Sequence, residues 1–145
     1  MTVSTVEWVP PTGMEKDVAM QWRAFYRSIA QKYGMSPAEY RAVYLAQLGR
    51  CFICRKARGV HPDDPKGHGS RRLGVDHHHA SGRVRGLLCS GGSTTCNRII
   101  GWLRDDPEAF ERGARYLREQ PAQSVLALVG MDVPDERIEG MLTRD

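Results

Sequence analysis

Long apolar runs are missing from this chain. The longest is Val125–Val129, far short of the roughly 18–20 residues that a membrane-spanning helix needs, so no membrane partner is expected. The opening segment, Met1–Gly13, lacks both the basic start and the apolar stretch of a secretory signal. A reducing, cytoplasmic setting is therefore expected. Cysteine is scarce: there are four in 145 residues, all between positions 51 and 96. In a reducing compartment such a set points to metal before disulfides. The composition of a disordered chain is missing too, since 41% of residues are hydrophobic and 26% charged. No internal repeat is visible. The length suits one domain with short appendages.

Strong net charge is also absent, at +4, but the balance is uneven along the chain. Residues 50–104 hold 11 basic and 3 acidic side chains, net +8, whereas residues 105–145 are net −5. The positive segment also holds every cysteine and every histidine. That coincidence predicts a polyanion-binding face, with nucleic acid the natural partner. A merely solvated basic surface is the plainer alternative.

Residues 1–13 carry a Pro-Pro pair and no periodicity, and read as an extended or disordered arm. Residues 14–49 read as helices. Val18, Trp22, Phe25 and Ile29 share one helical face, and Gly34 supplies a stop. Ser36-Pro37-Ala38-Glu39 is a capping box with proline at the first helical position. Tyr40, Val43, Tyr44 and Leu48 line the next helix, which is expected to stop at Gly49. Both stripes are explained as core. Within 50–104, His61–Ser70 reads as a long loop. Leu73–Asp76 and Val84–Leu88 read as strands of a hairpin, turned by Ala80-Ser81-Gly82-Arg83. A short helix is expected over Asn97–Leu103. Residues 105–145 read as further helices. The first is capped by Asp106, starts at Pro107 and presents Phe110, Ala114 and Leu117. Two more are expected over 122–129 and 134–142.

Cys51 and Cys54 form a C-x2-C turn, which lets two thiolates reach one ion. Cys89 and Cys96 form a second, wider C-x6-C pair, and together they make the four-sulfur shell zinc prefers. The intervening Ser90–Thr95 residues are small enough to fold outward. Arg50, Arg55 and Lys56 favour thiolates electrostatically. Disulfides and unrelated buried thiols are the alternatives. A closed four-thiolate shell would hold the fold and do no chemistry.

Asp76-His77-His78-His79 ends the first strand. Strand alternation puts His77 and His79 on one face and Asp76 and His78 on the other, unless the strand bends. A histidine can take a proton from water. A carboxylate with an amide oxygen, such as that of Asn97, suits Mg²⁺. These are the parts that phosphodiester hydrolysis needs. A surface cluster or a second zinc site is the alternative.

The run Asp76-His77-His78-His79-Ala80-Ser81-Gly82-Arg83-Val84-Arg85-Gly86-Leu87-Leu88-Cys89, followed by Cys96-Asn97-Arg98, resembles the recombination endonuclease VII family. These are phage enzymes of the His-Me finger (HNH-like) class. Tyr33–Tyr40, Gln47–Cys51, Ile100-Gly101 and Asp105–Glu108 are similar to it as well, so the resemblance covers roughly 33–118. It implies an α+β, mostly helical fold: a zinc-stapled ββα-metal core over 50–104 with flanking helices. It implies Cys51, Cys54, Cys89 and Cys96 as structural zinc ligands. His77 would be the general base, Asp76 and Asn97 the ligands of catalytic Mg²⁺ or Mn²⁺, and His79 an accessory histidine near the phosphate. His78 sits at a variable position. If Asp76 and His77 serve one site, the strand must bend or end there. The widened cysteine pair and the long loop 55–72, with His61, Asp63, Asp64 and His68, depart from the family pattern.

Arg83 and Arg85, at i and i+2 on the second strand, are expected to share a face and contact phosphate, and Arg71 and Arg72 to track the DNA backbone. A generic basic strand is the alternative. The resulting expectation is a metal-dependent DNA endonuclease specific for branched DNA such as four-way junctions. Branch recognition asks for two active sites, hence a homodimer. A phage nicking or packaging-associated HNH endonuclease and a non-catalytic zinc DNA-binding module are the competing readings.

Overall fold

The computed structural model describes residues 7–67, 72–92 and 95–129. His68, Arg71 and the helix expected over 134–142 lie outside the described residues. The chain forms a small α+β structure in two compact units, Met1–Asp105 and Asp106–Asp145.

In the first unit, helix α1 spans Lys16–Tyr33 and buries Val18, Ala19, Trp22, Tyr26 and Ile29. Phe25, expected in that stripe, is only partly buried, and Tyr26 takes the inner position. Gly34 ends α1 at φ 65, a left-handed conformation that costs glycine little. Helix α2 spans Pro37–Ala46. Its capping box is complete: Glu39 N donates to Ser36 Oγ at 3.2 Å, and Ser36 N donates to the Glu39 carboxylate at 2.7 Å. That backbone bond, with a second from the Ser36 hydroxyl, holds the Glu39 carboxyl below its ordinary value. Tyr40 and Tyr44 are buried. Leu48, expected beside them, is 74% exposed. The helix closes at Ala46, and Leu48 sits beyond it at φ 56, turned off the apolar face.

The two helices meet in an aromatic cluster. Trp22 stacks on Tyr26 with centroids 5.4 Å apart, and Tyr40 meets Trp22 and Phe25 edge-on. Leu73, Val75, Leu87 and Leu88 join this core. The Tyr40 hydroxyl donates to Leu73 O (3.0 Å) and the Tyr44 hydroxyl to Gly59 O (2.9 Å). Arg41 Nε donates to Asp63 Oδ2 at 2.6 Å. These bonds hold the long connection between α2 and the sheet against α2.

The sheet is a two-stranded antiparallel hairpin, β1 (Gly74–His77) with β2 (Val84–Leu88). The first strand begins and ends one residue later than its sequence suggests. Gly74, Val75 and Asp76 face Leu88, Leu87 and Gly86, but His77 faces Val84. The pairing therefore skips Arg85, which is a β-bulge. Gln47, just past α2, acts as a short third edge. Its Nε2 donates to Leu87 O (2.8 Å), and its Oε1 accepts from Leu87 N (2.9 Å). Helix α3 (Cys96–Trp102) follows the hairpin.

In the second unit, helix α4 (Pro107–Glu119) is capped by Asp106, whose Oδ1 accepts from Glu108 N at 3.0 Å. Helix α5 spans Pro121–Val129. The Phe110–Ala114–Leu117 face is only partly covered: none of α4 is buried, and Leu117 is 75% exposed. No helix among the described residues is long and apolar enough to cross a membrane.

Candidate active site

The four cysteines come together. Their sulfurs lie within 4.8 Å of one another, and none is in a disulfide. The turn carrying Cys51 and Cys54 is closed by the Arg50–Arg58 bridge and by Cys51 N donating to Ala57 O at 2.9 Å. Cys89 follows β2 directly and Cys96 opens α3, with Cys96 N donating to Cys89 Sγ at 3.3 Å. The wide spacing of the second pair thus does not separate the sulfurs. Four soft donors at this separation can hold a metal ion such as zinc, whose Zn–S bonds of about 2.3 Å fit inside such a cluster. Cys54 is pushed down to about 6, foremost by backbone N–H donors of Ala57 and Lys56. Charged neighbours were the expected cause, but these amides dominate. Burial pushes Cys96 up to about 12 and raises Cys89. A cation here would displace protons from thiols.

Beside the cluster, Asp76, His77, His79, Arg85, Asn97 and Asp105 line one open cleft of about 730 Å³. The bulge resolves the conflict in the alternation. By breaking the register between Asp76 and His77, it lets successive residues reach the same cleft. The His77 ring lies between Tyr33 (4.7 Å) and His79 (5.1 Å). Asp76 is nearly buried, and Arg85 binds both its oxygens, Nε to Oδ2 at 2.7 Å and Nη2 to Oδ1 at 2.9 Å. This pairing raises the Arg85 guanidinium above its ordinary value. Asn97 comes from the first turn of α3, where its N donates to Cys89 O at 3.3 Å. That backbone bond ties the start of α3 to the end of β2.

Other expected residues go elsewhere. Arg83 is exposed at the hairpin turn and does not line the cleft, so the bulge at Arg85 undoes the shared face expected for the two arginines. Arg72 lays its guanidinium over Phe25 (4.7 Å) and Trp22 (5.3 Å), which commits it to the aromatic core. His78 organises the hairpin loop, its Nδ1 accepting from Ser81 N at 3.2 Å. His61, Asp63 and Asp64 lie in the loop held against α2 and do not line the cleft. Among the described residues, the cysteines are the one group of three or more His, Cys, Asp or Glu donors close enough to share an ion.

Asp105 was not anticipated as a site residue. Its Oδ2 lies 3.1 Å from His79 Nδ1, and its Oδ1 accepts from Arg85 Nη2 at 3.2 Å. Only its place in the Asp105–Glu108 stretch hinted at it.

Residues 26–119 match the recombination endonuclease VII family. The chain belongs to that family. It is 44% identical over 99 residues to the Gene 59 protein of Mycobacterium phage D29, and 42% identical over 99 residues to that of Mycobacterium phage L5. Each alignment covers 68% of this chain and 52% of the relative, so the chain spans about half the length of these relatives. No solved structure matches it.

Proposed function

We propose that this chain is a metal-dependent DNA endonuclease, its hairpin and α3 forming a zinc-stapled ββα-metal (His-Me) finger. The observation carrying this reading is the meeting of Asp76, His77, His79 and Asn97 in one cleft beside the four-thiol cluster. Cys51, Cys54, Cys89 and Cys96 would hold structural zinc. Asp76 and Asn97 offer the hard oxygen donors that suit Mg²⁺ or Mn²⁺, and each Asp76 oxygen has lone pairs beyond its bond to Arg85. The divalent ion would supply charge stabilisation on the phosphate and leaving oxygen. His77 takes the proton from the attacking water, held in place by the Tyr33 and His79 rings. His79 meets the phosphate, and Arg85 stands ready to neutralise transition-state charge. Branched DNA is the proposed substrate, cut by a homodimer.

A cleavage assay on four-way-junction, nicked and linear duplex DNA tests this, with Mg²⁺ present or chelated. Junction cleavage is expected, lost on chelation and restored by Mg²⁺. His77→Ala should cut about 10²–10⁴-fold more slowly while still binding DNA. Wild-type protein that binds DNA but cuts none of the substrates would replace this reading with a zinc DNA-binding module.

A further inference from the structure

We propose that Asp105 is a positioning residue that sets the tautomer and orientation of His79. The inference rests on the nuclease reading of the cleft. The backbone around Asp105 is built to deliver it. Helix α3 ends in a Schellman turn: Arg104 N donates to Gly101 O (3.1 Å) and Asp105 N reaches back to Ile100 O (3.2 Å). Such turns place glycine in the left-handed position, which Arg104 takes here at φ 55, and Asp105 after it is left-handed as well at φ 56. Two strained non-glycine residues in succession are costly, and such strain collects at functional sites. The turn brings a carboxylate to the cleft from a position 26 residues after His79.

The chemistry of the contact is one-directional. A carboxylate can only accept, so the 3.1 Å approach of Asp105 Oδ2 to His79 Nδ1 favours the ring form that carries its proton on Nδ1. Nε2 is then the nitrogen left for substrate. It accepts when the ring is neutral and donates to a phosphate oxygen when the ring is charged. Arg85 fixes the carboxylate from its other oxygen. The His79 side chain is 69% exposed and that of Asp105 13%, so a freely turning ring is tethered to a held anion. Histidines bound at functional centres are commonly oriented in this way by a carboxylate.

Nitrogen-15 NMR of the histidines in the full chain, without Mg²⁺ or DNA, tests the proposal. His79 is assigned by comparison with His79→Gln. With the ring neutral, wild-type His79 should carry its proton on Nδ1. In Asp105→Ala it should revert to the Nε2–H form that free imidazole favours in water. Cleavage by Asp105→Ala should fall about 10–100-fold in kcat with KM for DNA little changed. In a His79→Ala background the same substitution should add little. A wild-type Nε2–H tautomer overturns the proposal without any variant. A full Asp105→Ala loss in the His79→Ala background overturns it as well. If wild-type protein cuts no DNA, the nuclease reading fails, while the tautomer still decides the role of Asp105.

Discussion

Asp76 and His77 are neighbours with opposite structural burdens, and substitution should separate them. Asp76 is nearly buried and accepts two charge-assisted bonds from Arg85. Asp76→Ala removes both and leaves Arg85, whose side chain is 31% exposed, with Asp105 alone. That half-compensated cation should cost about 1–3 kcal/mol of stability, short of the full penalty for a wholly orphaned buried charge. His77 makes ring contacts at the cleft and holds no buried charge, so His77→Ala should leave thermal stability close to wild type. Thermal unfolding of the two variants side by side checks this. Equal Tm losses would show that the Asp76–Arg85 pair contributes nothing net. Asp76, His77 and His79 could be grouped from sequence because they sit together in a strand-end motif. Asp105 could not, because its approach depends on a left-handed turn at Arg104, a residue that rarely adopts that conformation. Arg72 stacks on the Trp22 and Phe25 rings, a placement that sequence alone does not distinguish from an exposed cation.

The capping box of α2 and the Asp106-Pro107 start of α4 were readable in full, because helix starts are local chemistry. The hairpin was readable as two strands but not as a bulged pair. Register depends on what lies across the sheet, and a two-stranded hairpin is marginal by itself. Gln47 was invisible for the same reason: nothing near it in sequence reveals that Leu87, 40 residues on, needs a partner. Its amide satisfies both the N–H and the C=O of Leu87 in a place closed to water. Gln47→Ala should therefore strand the buried Leu87 N–H, while Leu87 O keeps its bond from Phe52 N (3.3 Å), and cost about 1–3 kcal/mol for the group left unpaired. Gln47→Glu keeps the acceptor but loses the donor to Leu87 O, so it should destabilise less than alanine if the Leu87 N–H is the more demanding group. Chemical denaturation of the three proteins gives the order. Stability of Gln47→Ala equal to wild type would mean that β2 closes on its own.

At the scale of the whole molecule, the charge and cysteine pattern located the cleft, and the aromatic stripes located the core that carries it. What the stripes did not show is how two tyrosines share that core with tryptophan. Tyr26 and Tyr40 are almost fully buried, and both phenols are raised well above their ordinary value, chiefly by loss of water. Below about pH 10 these phenols keep their protons in the folded and the unfolded chain alike. Above it the unfolded chain releases them first, so the folded state binds more protons and stability falls as pH rises. Each phenol should contribute a slope that rises from about 0.7 kcal/mol per pH unit at pH 10 towards about 1.4 above pH 11. Tyr40→Phe separates the effect from general alkaline damage. It removes one titrating group together with the bond to Leu73 O, so it should cost about 1 kcal/mol at neutral pH yet lessen the decline between pH 10 and 11 by roughly a third, because burial raises the Tyr44 phenol as well. Denaturant unfolding of both proteins across pH 8–11 measures the two slopes. Parallel slopes would show that Tyr40 ionises without unfolding the core, and that its burial is not what binds the helices to the sheet.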